Sequence, residues 1–162
     1  MARQSRAKVQ IAPARLKTTI EETTHFLNVD LEVKSRSNLQ PLIDSINESK
    51  LAHELSSFCF GGLYHAGFEV SSYVKKIDPI IRIFARIIGE LPPEPRRLWD
   101  RAVRRDLNIG IQSGLKGETY SIDADIVALA AKINAQIVIT LYGAKRKALK
   151  PPRSDRRLGS FS

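Results

Sequence analysis

Cysteine is nearly absent: Cys59 is the only one among 162 residues. A single thiol excludes an intrachain disulfide framework and suits a reducing compartment, which points to the cytoplasm. Long apolar runs are missing too. The two richest stretches, residues 80–91 and 137–141, are interrupted or short, well under the roughly 20 apolar residues of a membrane span. No membrane partner is expected. The first residues lack the apolar centre of a secretory signal. They also lack any acid before Glu21 while holding several arginines, which is how a mitochondrial transit peptide reads, so a mitochondrial address is the alternative. Histidine is scarce: His25, His53 and His65 lack the close spacing of metal ligands, and no HExxH pattern accompanies them. Neither a metal nor a cofactor is expected. Without GxGxxG or GxxxxGK[ST], the pair Gly61-Gly62 reads as a turn rather than a phosphate cradle.

What is abundant is positive charge, a formal net +9, and its distribution is uneven. Residues 1–17 hold Arg3, Arg6, Lys8, Arg15 and Lys17 with no acid, a charge of +5. Residues 145–162 hold Lys145, Arg146, Lys147, Lys150, Arg153, Arg156 and Arg157 against Asp155 alone, a charge of +6. The stretch between them is left at −2. The expected organisation is therefore a basic flexible tail over residues 1–20, one folded domain over 21–144, and a second basic flexible tail over 145–162.

Within the domain the hydrophobic periods alternate between two and 3.6. Residues 25–34 place Leu27, Val29, Leu31 and Val33 on one side and Asn28, Asp30, Glu32 and Lys34 on the other, a half-buried strand. Leu39, Leu42, Ile43 and Ile46 recur at helical spacing after Ser37 and Asn38, either of which can cap, with Pro41 early in the helix. Phe58, Phe60, Phe68 and Val70 suggest a strand pair around Gly61-Gly62. Asp78-Pro79 predicts a helix start, followed by the stripe Ile80, Ile83, Phe84, Ile87, Ile88 and Leu91. Pro92 and Pro93 stop it, and a short helix follows from Pro95 to Val103 with Leu98, Trp99, Ala102 and Val103 buried. Residues 107–112 alternate as a strand. Ser121 predicts the cap of a last helix through Ile122, Ile126, Leu129 and Ile133, which Asn134 ends. The final strand, 135–142, is the only continuous apolar run. The order β-α-β-β-α-α-β-α-β implies an α+β domain of ferredoxin-like, split βαβ type, with a mostly antiparallel sheet and helices packed on one face.

Three segments carry a resemblance: THFLNVDLEV at residues 24–33, LWDRAVRRDLNIGIQ at 98–112 and YSIDADIVALAAKINAQIVITLY at 120–142. Together they resemble an uncharacterised family of small bacterial α+β proteins, a domain of unknown function. The likeness covers about two thirds of the chain and omits both tails. It implies a ferredoxin-like fold and a bacterial cytosolic setting, and it assigns no residue a catalytic role.

No catalytic residue is assigned from the residues themselves. Cys59 beside His53 or His65 could make a nucleophile and base, but the apolar FCFGG run suits an inert thiol. Arg96, Arg97, Arg101, Arg104 and Arg105 around Trp99 could grip phosphate, yet Asp100 and Asp106 dilute them and Trp99 has core spacing. Asp30, Glu32 and Glu69, with Asn108, Gln112 and Tyr142, are the polar candidates on an open sheet face. Paired carboxylates there could divide acid and base roles. The leading expectation is a non-enzymatic binding or accessory module whose basic tails contact an acidic partner, RNA or DNA, by releasing counterions. The alternatives are a protein-binding immunity or antitoxin-like factor that uses the body alone, and a small enzyme using the open-face carboxylates. An exposed sheet edge or open face would also permit a homo-oligomer.

Overall fold

The computed structural model describes residues 18–20, 23–143 and 146–148, with backbone alone for the first and last of these segments. The strand expected at residues 25–34 is β2, His25–Ser35, following a three-residue β1, Thr18–Ile20. Val29, Leu31 and Val33 are buried, but Leu27 is 40% exposed. A bulge between Phe26 and Asn28 shifts the register there, so Phe26 rather than Leu27 packs towards the core. Helix α1, Gln40–Glu48, buries Leu42, Ile43 and Ile46. Asn38 Oδ1 accepts the Gln40 N–H at 3.0 Å just before it.

The pair expected around the double glycine is a hairpin of β3, Ala52–Phe60, and β4, Leu63–Val70. Gly61 and Gly62 have φ of +58° and +77°, the left-handed conformation that a two-residue hairpin turn requires at both positions. Helix α2, Ile77–Gly89, starts one residue before Asp78, which therefore lies in its first turn and does not cap it. Ile80, Ile81, Phe84, Ile87 and Ile88 form its buried stripe.

Helix α3 spans Pro93–Arg101, starting and ending two residues earlier than its apolar spacing suggests. Val103 donates its N–H to Lys34 O at 2.7 Å, and β5 begins at once, Arg104–Gln112, antiparallel to β2 from Lys34↔Arg104 onward. Sheet pairing thus takes the residues that local periodicity assigned to the helix, and Val103 is left 57% exposed. Helix α4, Ala124–Lys132, has Asp123 rather than Ser121 at its N-cap. Asn134 follows it at φ +56°, the left-handed residue that commonly ends a helix. Strand β6, Gln136–Tyr142, closes the domain, and β7, Arg146–Ala148, follows.

The main sheet has the order β3-β4-β2-β5-β6. Three pairings are antiparallel, and β5 with β6 is parallel, so the sheet is mixed rather than wholly antiparallel. The cause is α4, which carries the chain back to start β6 in the direction of β5. One buried cluster joins Val29, Leu31, Val33, Phe68, Leu107 and Ile109 of the sheet to residues of all four helices. Trp99 lies inside it, fully buried, its indole N–H donating to Ile133 O at 2.8 Å. No helix among the described residues is long and apolar enough to cross a membrane.

Strands β1 and β7 form a second, two-stranded antiparallel sheet, with Thr18↔Ala148, Thr19↔Lys147 and Ile20↔Arg146 paired. Both lie in segments expected to be flexible tails. Three residues are too few to display a period, and the partners stand at opposite ends of the chain, so nothing local signals the pairing.

Candidate functional site

Alternation along β2 puts Val29, Leu31 and Val33 on the face bearing the core and Asn28, Asp30, Glu32 and Lys34 on the other. Register fixes their neighbours. Glu32 stands between Gly67 of β4 and Asp106 of β5, Asp30 beside Asn108, and Lys34 beside His65 and Arg104. Further out, Phe58 of β3 is paired with His65, and the two rings stack at 4.7 Å between centroids, 10° from parallel.

Asp30, Glu32, Lys34, Ser56, Phe58, His65 and Gly67 line a concavity of about 370 Å3 on this face. Gly67 contributes no side chain, and a Cβ there would stand 3.3 Å from Ser56 Oγ. Glu69 does not line this hollow. It borders a neighbouring one of about 480 Å3 with Asn28, Tyr73 and Tyr120, although it remains close enough to act electrostatically on Asp30. The expected carboxylates are therefore only partly convergent.

Two of them are held by amides. Asn28 Nδ2 donates to Asp30 Oδ1 at 2.8 Å, and Asn108 Nδ2 donates to Glu32 Oε1 at 2.8 Å. Thr140 Oγ1 donates in turn to Asn108 Oδ1 at 2.7 Å, which gives a polar ladder across β2, β5 and β6. Gly110 makes room for it, since a Cβ there would lie 2.7 Å from Asn28 Oδ1. Burial, then the negative charges of Glu69 and Glu32, push the Asp30 carboxyl up to about 6, against the Asn28 hydrogen bond that lowers it. Asp30 can thus exchange a proton close to neutral pH, and a cation brought beside it would be favoured.

The other open-face candidates have structural duties. Gln112 is 2% exposed, and its Nε2 donates to Tyr142 O at 3.2 Å, tying down the end of β6. Asp106, one of the acids that dilute the arginine stretch, is equally buried. Its Oδ2 pairs with Arg104 Nε at 2.5 Å, while Oδ1 has no hydrogen-bond partner among the described residues. Tyr142 is half-exposed at the outer strand. Sequence reasoning places Lys34 on this face without making it a site candidate, and it does not single out Ser56, Phe58 or Thr140. The alternation signal was there for Lys34 and Thr140, whereas Ser56 and Phe58 depend on the bulge between Glu54 and Ser56 in β3.

The arginine stretch is largely committed. Arg96 binds Asp100 on α3, and Arg105 donates to the carbonyls of Trp99 and Asp100 at 3.0 Å, closing the helix end. Cys59 is exposed on β3, paired in register with Tyr64 rather than with a histidine. No group of three or more His, Cys, Asp or Glu among the described residues is arranged to hold a metal ion.

Of the basic residues expected to bind nucleic acid, Arg3, Arg6, Lys8, Arg15, Lys17, Lys145, Lys150, Arg153, Arg156 and Arg157 lie outside the described residues. Arg146 and Lys147 lie on β7. The register of the small sheet bears on all of them. Thr18↔Ala148 is its terminal pair, so residues 17 and 149 continue the chain from the same end of one two-stranded ribbon. Comparison of the chain with protein-family models, with curated proteins and with solved structures gave no match.

Proposed function

We propose that this protein is a non-enzymatic accessory module that binds a nucleic acid, RNA or DNA, through its two basic segments acting as one element. The observation that carries the reading is the β1–β7 register, which starts residues 1–17 and 149–162 from one end of a single ribbon. Two segments of +5 and +3 then address the same stretch of phosphate backbone, and each raises the effective concentration of the other. Aromatic residues are absent from both except Phe161, which favours backbone contacts over reading of unpaired bases.

The test is fluorescence anisotropy with a single-stranded RNA and a DNA duplex of about 20 nucleotides, at ~50 and ~200 mM salt. With six to eight phosphates neutralised, affinity falls roughly 10³ to 10⁴-fold across that range. Removing either residues 1–17 or 149–162 costs most of the affinity, because the segments work jointly. Binding that survives removal of both would refute the proposal.

The connectivity supports the finer architecture expected from the sequence. Strands β2 and β3 run parallel with β4 between them, and β4 and β5 run parallel with β2 between them, each pair joined through helices. We infer a ferredoxin-like core of two split βαβ units, extended by α4 and β6, with the helices on one face. Membership of the uncharacterised bacterial family and a cytoplasmic address accompany that inference. A second reading rests on the 370 Å3 hollow, where carboxylates beside a stacked aromatic pair suit a basic side chain of a protein partner. It is distinguished by partner capture that persists at high salt after both basic segments are removed.

A further inference from the structure

Strand β6 has the composition of a strand buried on both faces and the position of one that is not. Its residues Gln136–Tyr142, read QIVITLY, carry no charge, and from Ile133 to Gly143 the chain has none. Such continuous apolar runs belong to central strands, yet among the described residues β6 is the last strand of the sheet, bonded only to β5. Register places Ile137, Ile139 and Leu141 on the same face as Leu107, Ile109 and Ile111 of β5, the face bearing the core. Ile137 packs partly against that core. Ile139 and Leu141 are 57% and 68% exposed. Edge strands in soluble proteins are ordinarily guarded by lysine, proline or a bulge, and β6 has none of these.

We propose that β6 is a homodimerisation strand, pairing antiparallel with β6 of a second copy about a two-fold axis so that the two sheets join into one. The charge pattern selects the second copy as the occupant. In a two-fold antiparallel pair the residues near the axis face their own counterparts, so any charge on the strand would oppose itself. An uncharged, β-branched strand meets no such penalty and gains Ile, Val and Thr cross-strand contacts. The chain's own basic segments suit this edge poorly, because they would bring arginine and lysine against Ile139 and Leu141. The contact is one strand pair with an apolar fringe, at the small end of specific interfaces, so its affinity falls in the micromolar range.

Full-length protein, freed of nucleic acid and held at ~0.5 M salt so that polyanions do not bridge copies, is examined by sedimentation equilibrium from ~5 to ~200 µM. A monomer–dimer equilibrium is expected. Ile139→Lys and Leu141→Lys each raise the dimer Kd at least about 100-fold, since the two-fold axis places every substitution in the interface twice. Phe60→Lys on β3, the opposite edge, where the side chain is 78% exposed, leaves it unchanged. Amide exchange provides a measurement that needs no variant: protection of residues 137–142 rises with protein concentration across the same range. A monomer throughout, protection independent of concentration, a dimer that tolerates lysine at both positions, or a dimer abolished by Phe60→Lys overturns the proposal.

Discussion

Replacing Asp30 by asparagine keeps the shape of the side chain and an oxygen to accept the Asn28 amide, while removing a charge the fold holds at a cost. The carboxyl is raised from 3.8 to about 6, chiefly by burial and then by Glu69 and Glu32. Between these values the folded protein retains a proton that the unfolded chain has released. Stability therefore falls as pH rises through that window and stays reduced above it. Two pKa units correspond to about 3 kcal/mol, and because Asp30 is only half-buried, solvent screening reduces this to about 1–2 kcal/mol. Asp30→Asn is accordingly expected to be more stable than the parent at pH 7.5 by that amount, or roughly 2–8 °C in melting temperature for a chain of this length. Near pH 3.5 the two proteins should melt together. Urea denaturation at half-unit intervals from pH 3.5 to 8 measures the difference directly. Equal stability at pH 7.5, or a variant whose deficit grows as pH rises, would show that Asp30 is not a carboxylate held against its neighbours.

Two substitutions probe the packing that positions this face. Gly114→Ala places a Cβ 2.4 Å from the Thr23 carbonyl carbon and 2.7 Å from Thr24 N; backbone cannot give way as a side-chain tip does, so a loss of about 2–3 kcal/mol is expected in chemical denaturation. Trp99→Phe removes the buried N–H···O bond to Ile133 and opens a cavity, leaving the Ile133 carbonyl unpaired. A loss of about 2–4 kcal/mol is expected, with α4 showing the earliest amide exchange, because that bond ties α3 to the end of α4.

The parts of the fold that could be read in advance are those where one period runs undisturbed. Val29, Leu31 and Val33 on β2, the Ile80 to Ile88 stripe on α2 and Asn134 at the end of α4 needed nothing beyond their neighbours in sequence. Reading failed where a distant strand competed for the same residues. Ala102 and Val103 continue the apolar spacing of α3, but the Val103 N–H bonds Lys34 O and the helix yields to the sheet. It failed again at Leu27, where a bulge breaks the alternation. The site behaves likewise. Alternation identified Asp30 and Glu32, but whether carboxylates converge depends on the β2–β4 register and on the β3 bulge, both of which are settled between strands. That is why Glu69 influences Asp30 while bordering a different hollow.

Strands β5 and β6 show how residue type and sheet position can disagree in opposite senses. β5 alternates like a half-exposed strand yet lies inside the sheet, where Asp106 and Gln112 are buried and Asn108 is partly buried, each with local compensation. Asp106 takes the Arg104 guanidinium, Gln112 takes the Tyr142 carbonyl, and Asn108 bridges Glu32 and Thr140. Polar side chains can be buried in this way because hydrogen bonds within the chain offset their desolvation. The mismatch at β6 has no such internal remedy. Exposed Ile139 and Leu141 gain nothing from a hydrogen bond, and apolar surface is removed from water only by more apolar surface. Among the described residues none covers them. A polar residue in a buried strand can thus be explained from within the chain, whereas an apolar run on an open edge directs attention to a second molecule.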